Sequence, residues 1–560
     1  MSSPDLPTSI SPIEDAVSLH RQGRLDEAEK IYRRVLKHNK NDFNALHLLG
    51  MVNHQRGKPG EAYQLITSAL KIHPRSPDAL ANLSFVLHAL KRDDEALASI
   101  DKALAIAPDH LDALNNRGNL LLALSRPAEA VAAFDRVLAL EPRHVQAHIN
   151  RGNALWECGR GEEALPEYDA ALTLQPGNPY ALYNRANALR ATGREADAIE
   201  AYGSALLSLP GHLPSWVNLG QTLMALNRHD EALDAYRKAL ELAPDNADAN
   251  FNEALALLTV GDYRRGFEKY EWRWKRTGMD AKPRFRQRPW LGESSVANKT
   301  ILLYAEQGLG DTIQFVRYAP ELARAGARVV LEVQPELKEL LAGFEGVASV
   351  LGRGEPTPAF DLHCPLASLP LALKTDPSNV PGGIPYLRAS EARMARWQAR
   401  IEALPGPRIA IAWSGSADHF NDRNRSIALA QLEPLLATRG VSFVSVQHEM
   451  RPADAGQLAA NVGMLHVGGE LSDFSDTAAV LALCDLTISV DTSVVHLSAA
   501  MGRPTYLLVP FQPDWRWTAE GERSPWYPDV KLFRQPAPGD WNSVLARVSE
   551  ELAMLASPVK

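Results

Sequence analysis

Cysteine is nearly absent. Cys158, Cys364 and Cys484 are three in 560 residues and lie far apart, with no CxxC pairing. So sparse and odd a set argues against a disulfide framework or a thiolate zinc site and fits a reducing cytoplasm, the localisation expected here. No apolar run approaches the roughly 18 residues of a membrane-spanning helix, so no span is expected. The first residues, MSSPDLPTSISPIEDA, lack a basic start followed by an apolar stretch, so no signal peptide is expected. Positive charge is not in excess either. A formal net charge of −8 gives no electrostatic case for nucleic acid.

What the chain does have is a period. Pro74, Pro108, Pro142, Pro176, Pro210 and Pro244 are each 34 residues apart. The same step carries Ala28, Ala62, Ala96, Ala130, Ala164, Ala198 and Ala232, and also Tyr32, Ile66, Ile100, Phe134, Tyr168, Tyr202, Tyr236 and Tyr270. Three registers in phase over this many cycles point to repeated helix pairs. The turn between the two helices is marked by Gly23, Gly57, Gly159, Gly193 and Gly261. Pro closes the second helix because it lacks an N–H and clashes with the preceding turn. A second small position, Gly50, Ser84, Gly118, Gly152, Ala186, Gly220 and Ala254, is expected to face the Ala from the first helix. The pattern resembles the tetratricopeptide repeat, and such units bury their apolar faces only by stacking into a superhelix. About eight repeats are expected over residues 9–278. The first lacks the closing Pro (Lys40) and the last has Gly266 for Ala, as end caps would.

Asn82, Asn116, Asn150, Asn184, Asn218 and Asn252 also keep the 34 step, two residues before the small position. A carboxamide carries an acceptor and two donors, so a column of them can pair with a peptide backbone whatever its side chains. The other reading is that Asn at this position serves packing between repeats. The run resembles the asparagine ladder of eukaryotic protein O-GlcNAc transferases, which also join such an array to a glycosyltransferase.

Past Tyr270 the pattern changes. Residues 279–298 read as a linker, preceded by the aromatic anchors of Glu271-Trp272-Arg273-Trp274. From Ile301, ILLYA, a Gly-containing turn, a helical run and ARVVLEV give a βαβ unit and hence a parallel sheet. The alternation restarts at Arg408 with RIAIAWSG and continues through VSFVSVQ, LTISV and PTYLLVP. Two Rossmann-like lobes are expected, residues 299–395 and 405–556, parted by a Pro-rich, weakly patterned segment from about 376 to 407. Ligands of such sheets bind at strand-to-helix turns. Two turns carry chemistry: Glu306-Gln307-Gly308-Leu309-Gly310-Asp311-Thr312, and Asp491-Thr492-Ser493 running on to His496.

These turns, in this order and spacing, resemble the heptosyltransferase-type (glycosyltransferase family 9) enzymes of the GT-B fold. GLGDT (Gly308–Thr312) is similar to that family's GD element, and DTSVVHLSAAMGRP (Asp491–Pro504) to its D-T-x-x-x-H-x-x-A-x-x-G-x-P signature. The resemblance covers about residues 299–535. With DLHCPLASLP, IAWSGS, NDRNRS, DWRW and SPWYP it is nearer the repeat-containing bacterial branch, whose members include glycosyltransferases that modify flagellin. The implied fold is an α-solenoid, the tetratricopeptide superhelix, followed by an α/β GT-B glycosyltransferase, its first lobe on the acceptor side and its second on the nucleotide-sugar side. The implied reaction is metal-independent, inverting transfer from a nucleotide-sugar to Ser or Thr of a protein acceptor, flagellin being the candidate. No cofactor is expected, and no D-x-D pair stands at a strand end.

The resemblance makes Asp311 the general base, with Glu306 and His363 as substitutes; each has an alternative, an N-cap for Asp311 and positioning for His363. Donor-side candidates are Gly308, Gly310, Trp413, Ser414, Gly415, Arg425, Gln447, Asp491, Thr492, Ser493 and His496, and acceptor-side ones the six Asn. Trp413, Ser414, Gly415 and Gln447 serve equally as strand-end packing groups, and Arg423 and Arg425 as solvated cations. Trp515, Trp517 and Trp526 either wall the cleft or pack. Competing functions are a lipid or polysaccharide acceptor, a non-catalytic scaffold, and a dehydrogenase that places ribose on Glu332. Ile313 stands where a dinucleotide turn wants a third small residue, which weighs against the last.

Overall fold

The computed structural model describes residues 12–276, 285–419, 421–460 and 463–556. Positions 279–284 of the linker and the ends of the array, 9–11 and 277–278, lie outside them. The chain divides into two compact units, Met1–Leu219 and Gly220–Lys560, so the division falls inside the repeats.

Between Pro12 and Tyr270 the described residues form sixteen helices, from Pro12–Arg21 to Tyr263–Tyr270. In the first unit Asp42, Ser76, His110, His144 and Asn178 cap the first helix of successive pairs, each side chain accepting an N–H three residues on. The residue at the intra-repeat turn is left-handed in every repeat, with φ from 56° to 88°. That holds at Gly23, Gly57, Gly159, Gly193 and Gly261, and also where the sequence has Lys91, Ser125 and Asn227. The repeat Ala is fully buried at each occurrence. The second small position meets a different partner from the one expected. A Cβ at Gly50 would lie 2.5 Å from Ile66 Cγ1, and one at Gly152 would lie 2.6 Å from Tyr168 Cε1. The large side chain sixteen residues on, rather than the Ala, fills the space that glycine leaves.

The second unit begins with the last repeats. Tyr263 stacks on Trp526 at 5.7 Å and accepts its indole N–H at 2.8 Å, while Phe267 sets its ring edge-on to Trp515. Trp515, Trp517 and Trp526 are therefore core residues. Two all-parallel sheets follow. The first holds β1 (Thr300–Tyr304), β2 (Arg328–Val333), β3 (Val347–Gly352) and β4 (Leu362–Pro365) in the order β3-β2-β1-β4. The second holds β5 (Arg408–Ala412), β6 (Ser442–Ser445), β7 (Met464–His466), β8 (Leu486–Val490), β9 (Thr505–Val509) and β10 (Val530–Arg534) in the order β10-β9-β8-β5-β6-β7. The nearly continuous burial of β1, β2, β5 and β8 is what a parallel sheet covered on both faces requires.

The segment read as weakly patterned contains a helix, Glu391–Glu402. Trp397 and Ile401 form its buried face. Trp397 Nε1 donates to Asp476 Oδ1, and Arg393 and Arg396 pair with the same carboxylate. This helix is thereby tied to the Phe474–Leu483 helix of the second lobe, although residues 391–395 were assigned by pattern to the first. No helix among the described residues is long and apolar enough to cross a membrane.

Candidate active site

Both chemistry-bearing turns follow central strands, β1 and β8, and their helices Leu309–Phe315 and Ser493–Ala500 pack on each other. The contact is close because residue 310 is glycine. A Cβ there would lie 2.8 Å from His496 Cδ2. At the first turn Asp311 Oδ2 accepts the Gly308 N–H at 3.0 Å. At the second, Thr492 is the N-cap, its hydroxyl accepting the Val494 N–H at 3.3 Å.

Charge converges on this junction. Arg516, from the short 3₁₀ turn Trp515–Trp517, pairs with Asp311 Oδ1 and with Asp514 Oδ1 at 2.8 Å, and its Nε donates to Gln314 Oε1 at 2.6 Å. Its side chain is only 10% exposed, so these acceptors carry the cation almost without water. Burial raises the Asp311 carboxyl, with Arg516 opposing and Asp514 adding to the shift. Asp491 is pushed up to about 6 by burial and by the charge of Asp514. His496 donates to or accepts from the Tyr527 hydroxyl through Nδ1 at 3.1 Å. Burial, reinforced by Arg516 and Arg317, lowers its pKa well below the ordinary value, so the ring is neutral at pH 7. Arg425 Nη1 donates to the Asp491 carbonyl at 2.8 Å, and its buried Nε has no partner among the described residues.

Glu306, just past β1, is held differently. Its Oε1 accepts Arg273 Nη2 at 3.0 Å and the Ala367 N–H at 3.3 Å, while Oε2 is buried without a partner among the described residues. Burial, offset in part by Arg273, pushes it up to about 7. Arg273 is fully buried and also pairs with Glu271 at 2.6 Å, so a residue read as an aromatic anchor's neighbour is a buried cation.

Residues 387–508 match the profile of glycosyltransferase family 9 (heptosyltransferase). Tetratricopeptide-repeat profiles match residues 16–77, 54–116, 115–179, 159–212 and 214–246. The chain joins tetratricopeptide repeats to a glycosyltransferase family 9 domain. It is 29% identical over 335 residues to Protein FlbA of Caulobacter vibrioides, a match covering 55% of each chain. The chain thus spans about half the length of that relative. Among solved structures it is similar to the anaphase-promoting-complex hetero-tetramer Cut9-Hcn1 (TM-score 0.38, 17% identity, 47% of this chain and 52% of that one). It is also similar to a tetratricopeptide repeat protein from Parabacteroides merdae (TM-score 0.36, 21% identity, 44% and 97%).

Of the candidate residues, Arg425, Asp491, Thr492, Ser493 and His496 lie in the segment that matches the family 9 profile; Gly308, Gly310 and Asp311, which precede it, share their neighbourhood, and Glu306 lies close enough to Asp311 for their charges to interact. His363 is not among them. Its ring is buried among Phe285, Tyr304 and Phe360, its Nε2 donating to the Gln287 carbonyl at 3.0 Å. Trp413 is buried in the core of the second lobe, its indole donating to Asp454 at 3.0 Å. Gln447 braces the end of β5, accepting the Trp413 and Ser414 N–H groups and donating to the Ser414 carbonyl. Gly415 leaves room for the Arg425 guanidinium, which a Cβ would strike. Arg423 is exposed.

In the first unit, the Asn column makes bonds between repeats. Nδ2 of Asn150, Asn184 and Asn218 donates to Oδ1 of Asn119, Asn153 and Asn187, at 2.8, 2.9 and 2.9 Å. Asn82 meets His47 Nε2 at 2.9 Å. Asn252, in the second unit, has a buried Nδ2 without a partner among the described residues. This second column is legible in the sequence too, since Asn119, Asn153 and Asn187 keep the same 34 step. Arg516 and Asp514 lie in the DWRW motif, but nothing local marks either as part of the site.

Proposed function

We propose that the chain transfers a sugar from a nucleotide-sugar to Ser or Thr of a protein acceptor, with inversion and without a metal ion, flagellin being the acceptor to which the resemblance points. The observation that carries this reading is the meeting of the two turns, which sets a half-buried carboxylate, Asp311, beside the opening of the Ser493–Ala500 helix. The carboxylate takes the proton of the acceptor hydroxyl as its oxygen attacks the anomeric carbon, and the bond to the diphosphate breaks on the opposite face. Charge on the departing diphosphate is met by the positive end of that helix and by Arg425, whose Nε, unpartnered among the described residues, supports such a role. His496 serves as a neutral hydrogen-bonding group rather than a cation. The repeats supply the acceptor specificity.

The family 9 profile is named for heptosyltransferases, which favours a second reading with a lipid or polysaccharide acceptor. Intact-mass analysis of co-expressed candidate proteins, with and without this chain, separates the two. A sugar-sized mass gain on a protein supports the first, and unchanged proteins alongside donor turnover support the second.

A further inference from the structure

Arg516 has no role in the reaction as written, yet it is the cation bound to the group cast as the base. Proton transfer makes this arrangement consequential. Before transfer, Asp311 carries the negative charge that balances the guanidinium. Afterwards Asp311 holds the acceptor's proton and is neutral, while the new negative charge sits on the diphosphate that has left with the electron pair of the broken bond. A guanidinium this deeply buried, left with only Asp514 of its two carboxylate partners, is drawn to the new charge.

We propose that Arg516 switches partners during turnover, holding Asp311 before the donor binds and the diphosphate afterwards; this rests on the function proposed above. The turn that carries it reaches both helices. Arg516 itself contacts the Leu309–Phe315 helix through Asp311 and Gln314, and the next residue, Trp517, lies over the His496 ring at 5.3 Å on the Ser493–Ala500 helix. Its charge is felt at Asp491 and His496, the residues of the diphosphate turn. Asp514, which pairs with Arg516 and whose side chain accepts the Arg516 N–H, anchors the turn while the outer nitrogen changes partner. Both Asp311 oxygens are engaged, one by Gly308 and one by Arg516, so a change of partner by Arg516 is what frees the base.

Competition for one cation is testable with inorganic pyrophosphate as the probe, using full-length protein and titration calorimetry. Asp311→Asn removes the competitor and keeps the shape, so it is expected to tighten pyrophosphate binding about tenfold, a change that a merely structural ion pair would not produce. Arg516→Gln is expected to weaken binding about tenfold or more, and Arg516→Lys to weaken it less. The double variant should match Arg516→Gln, because without the guanidinium Asp311 has nothing to withhold. If wild type binds pyrophosphate and Asp311→Asn binds it equally or more weakly, the partner switch is overturned and the proposed function stands. If wild type does not bind pyrophosphate at millimolar concentration, the diphosphate-donor reading fails and the switch falls with it.

Discussion

The imidazole of His496 lies against the α-carbon of Gly310, leaving no room for even a methyl group between the helices of the two turns. The ring cannot step aside, being buried and bonded to Tyr527. Gly310→Ala is therefore expected to push the helices apart at a cost of about 1–3 kcal/mol and to weaken nucleoside diphosphate binding. Gly415→Ala is a useful contrast, since it meets only the end of the Arg425 side chain, which can shift. It should alter binding with little change in melting temperature. Thermal unfolding and calorimetry on both variants check this, and equal stability losses would refute the distinction.

Asp311→Ala is expected to fold, because Arg516 keeps Asp514 and Gln314 as partners. Sugar transfer should fall about 10²–10⁴-fold, the usual cost of removing a general base. Near wild-type turnover would reduce Asp311 to a cap and an ion-pair partner, and would move attention to Glu306, whose Oε2 is unpartnered.

Glu306 makes a prediction about pH and stability. Its carboxyl is pushed up to about 7 from an ordinary 4.5. Between those values the native state keeps a proton that the unfolded chain has released. Its contribution to stability therefore declines as pH rises through this window, by on the order of 3 kcal/mol. Glu306→Gln should remove that decline while leaving stability near pH 4.5 little changed. Urea unfolding at pH 5 and pH 7.5 measures it, and an identical slope in the variant would show that the carboxyl is ionised throughout.

Ser125 adopts φ 56° at a turn where other repeats have glycine. A side chain in that region costs about 1–2 kcal/mol. Ser125→Gly is expected to stabilise the first unit by up to about 1 kcal/mol, part of the relief being lost to the greater freedom of unfolded glycine. Gly159→Ala should destabilise it. A lower melting temperature for Ser125→Gly would contradict the argument.

Changing Asn116, Asn150, Asn184 and Asn218 together to Ala is expected to abolish transfer to protein while donor hydrolysis continues. Each neutral hydrogen bond contributes about 0.5–1.5 kcal/mol, so single changes should be mild. Three of these amides also bridge repeats, and the melting temperature of the first unit should drop. Loss of transfer well below that temperature assigns the column to acceptor capture. Loss that merely follows unfolding, or no loss at all, assigns it to packing. Truncation for the same purpose belongs at Leu219, where the first compact unit ends, so that the unit holding the catalytic residues stays whole.

Much of the architecture was legible because its determinants are close in sequence. The 34-residue step, the central strands β1, β2, β5, β6, β8 and β9 and the two turns all announce themselves within windows of a few tens of residues. The edge strands β3, β7 and β10 and the Glu391–Glu402 helix did not, since short or amphipathic segments take their form from what they pack against. The same limit hid part of the site. Arg516 and Asp311 are 205 residues apart, and nothing near either one marks the other.

By itself, then, the sequence determined the repeated helix pairs, because each buries its small residue under a side chain sixteen positions on, and it determined which turns carry reactive groups. Tertiary structure alone decided which charges meet and in what state. Glu306 is held near neutrality, His496 is kept uncharged and Asp311 is bound to Arg516 because burial strips away water, and the neighbours that replace it come from distant segments. Desolvation is set by everything packed around a group, so no local stretch of sequence encodes it.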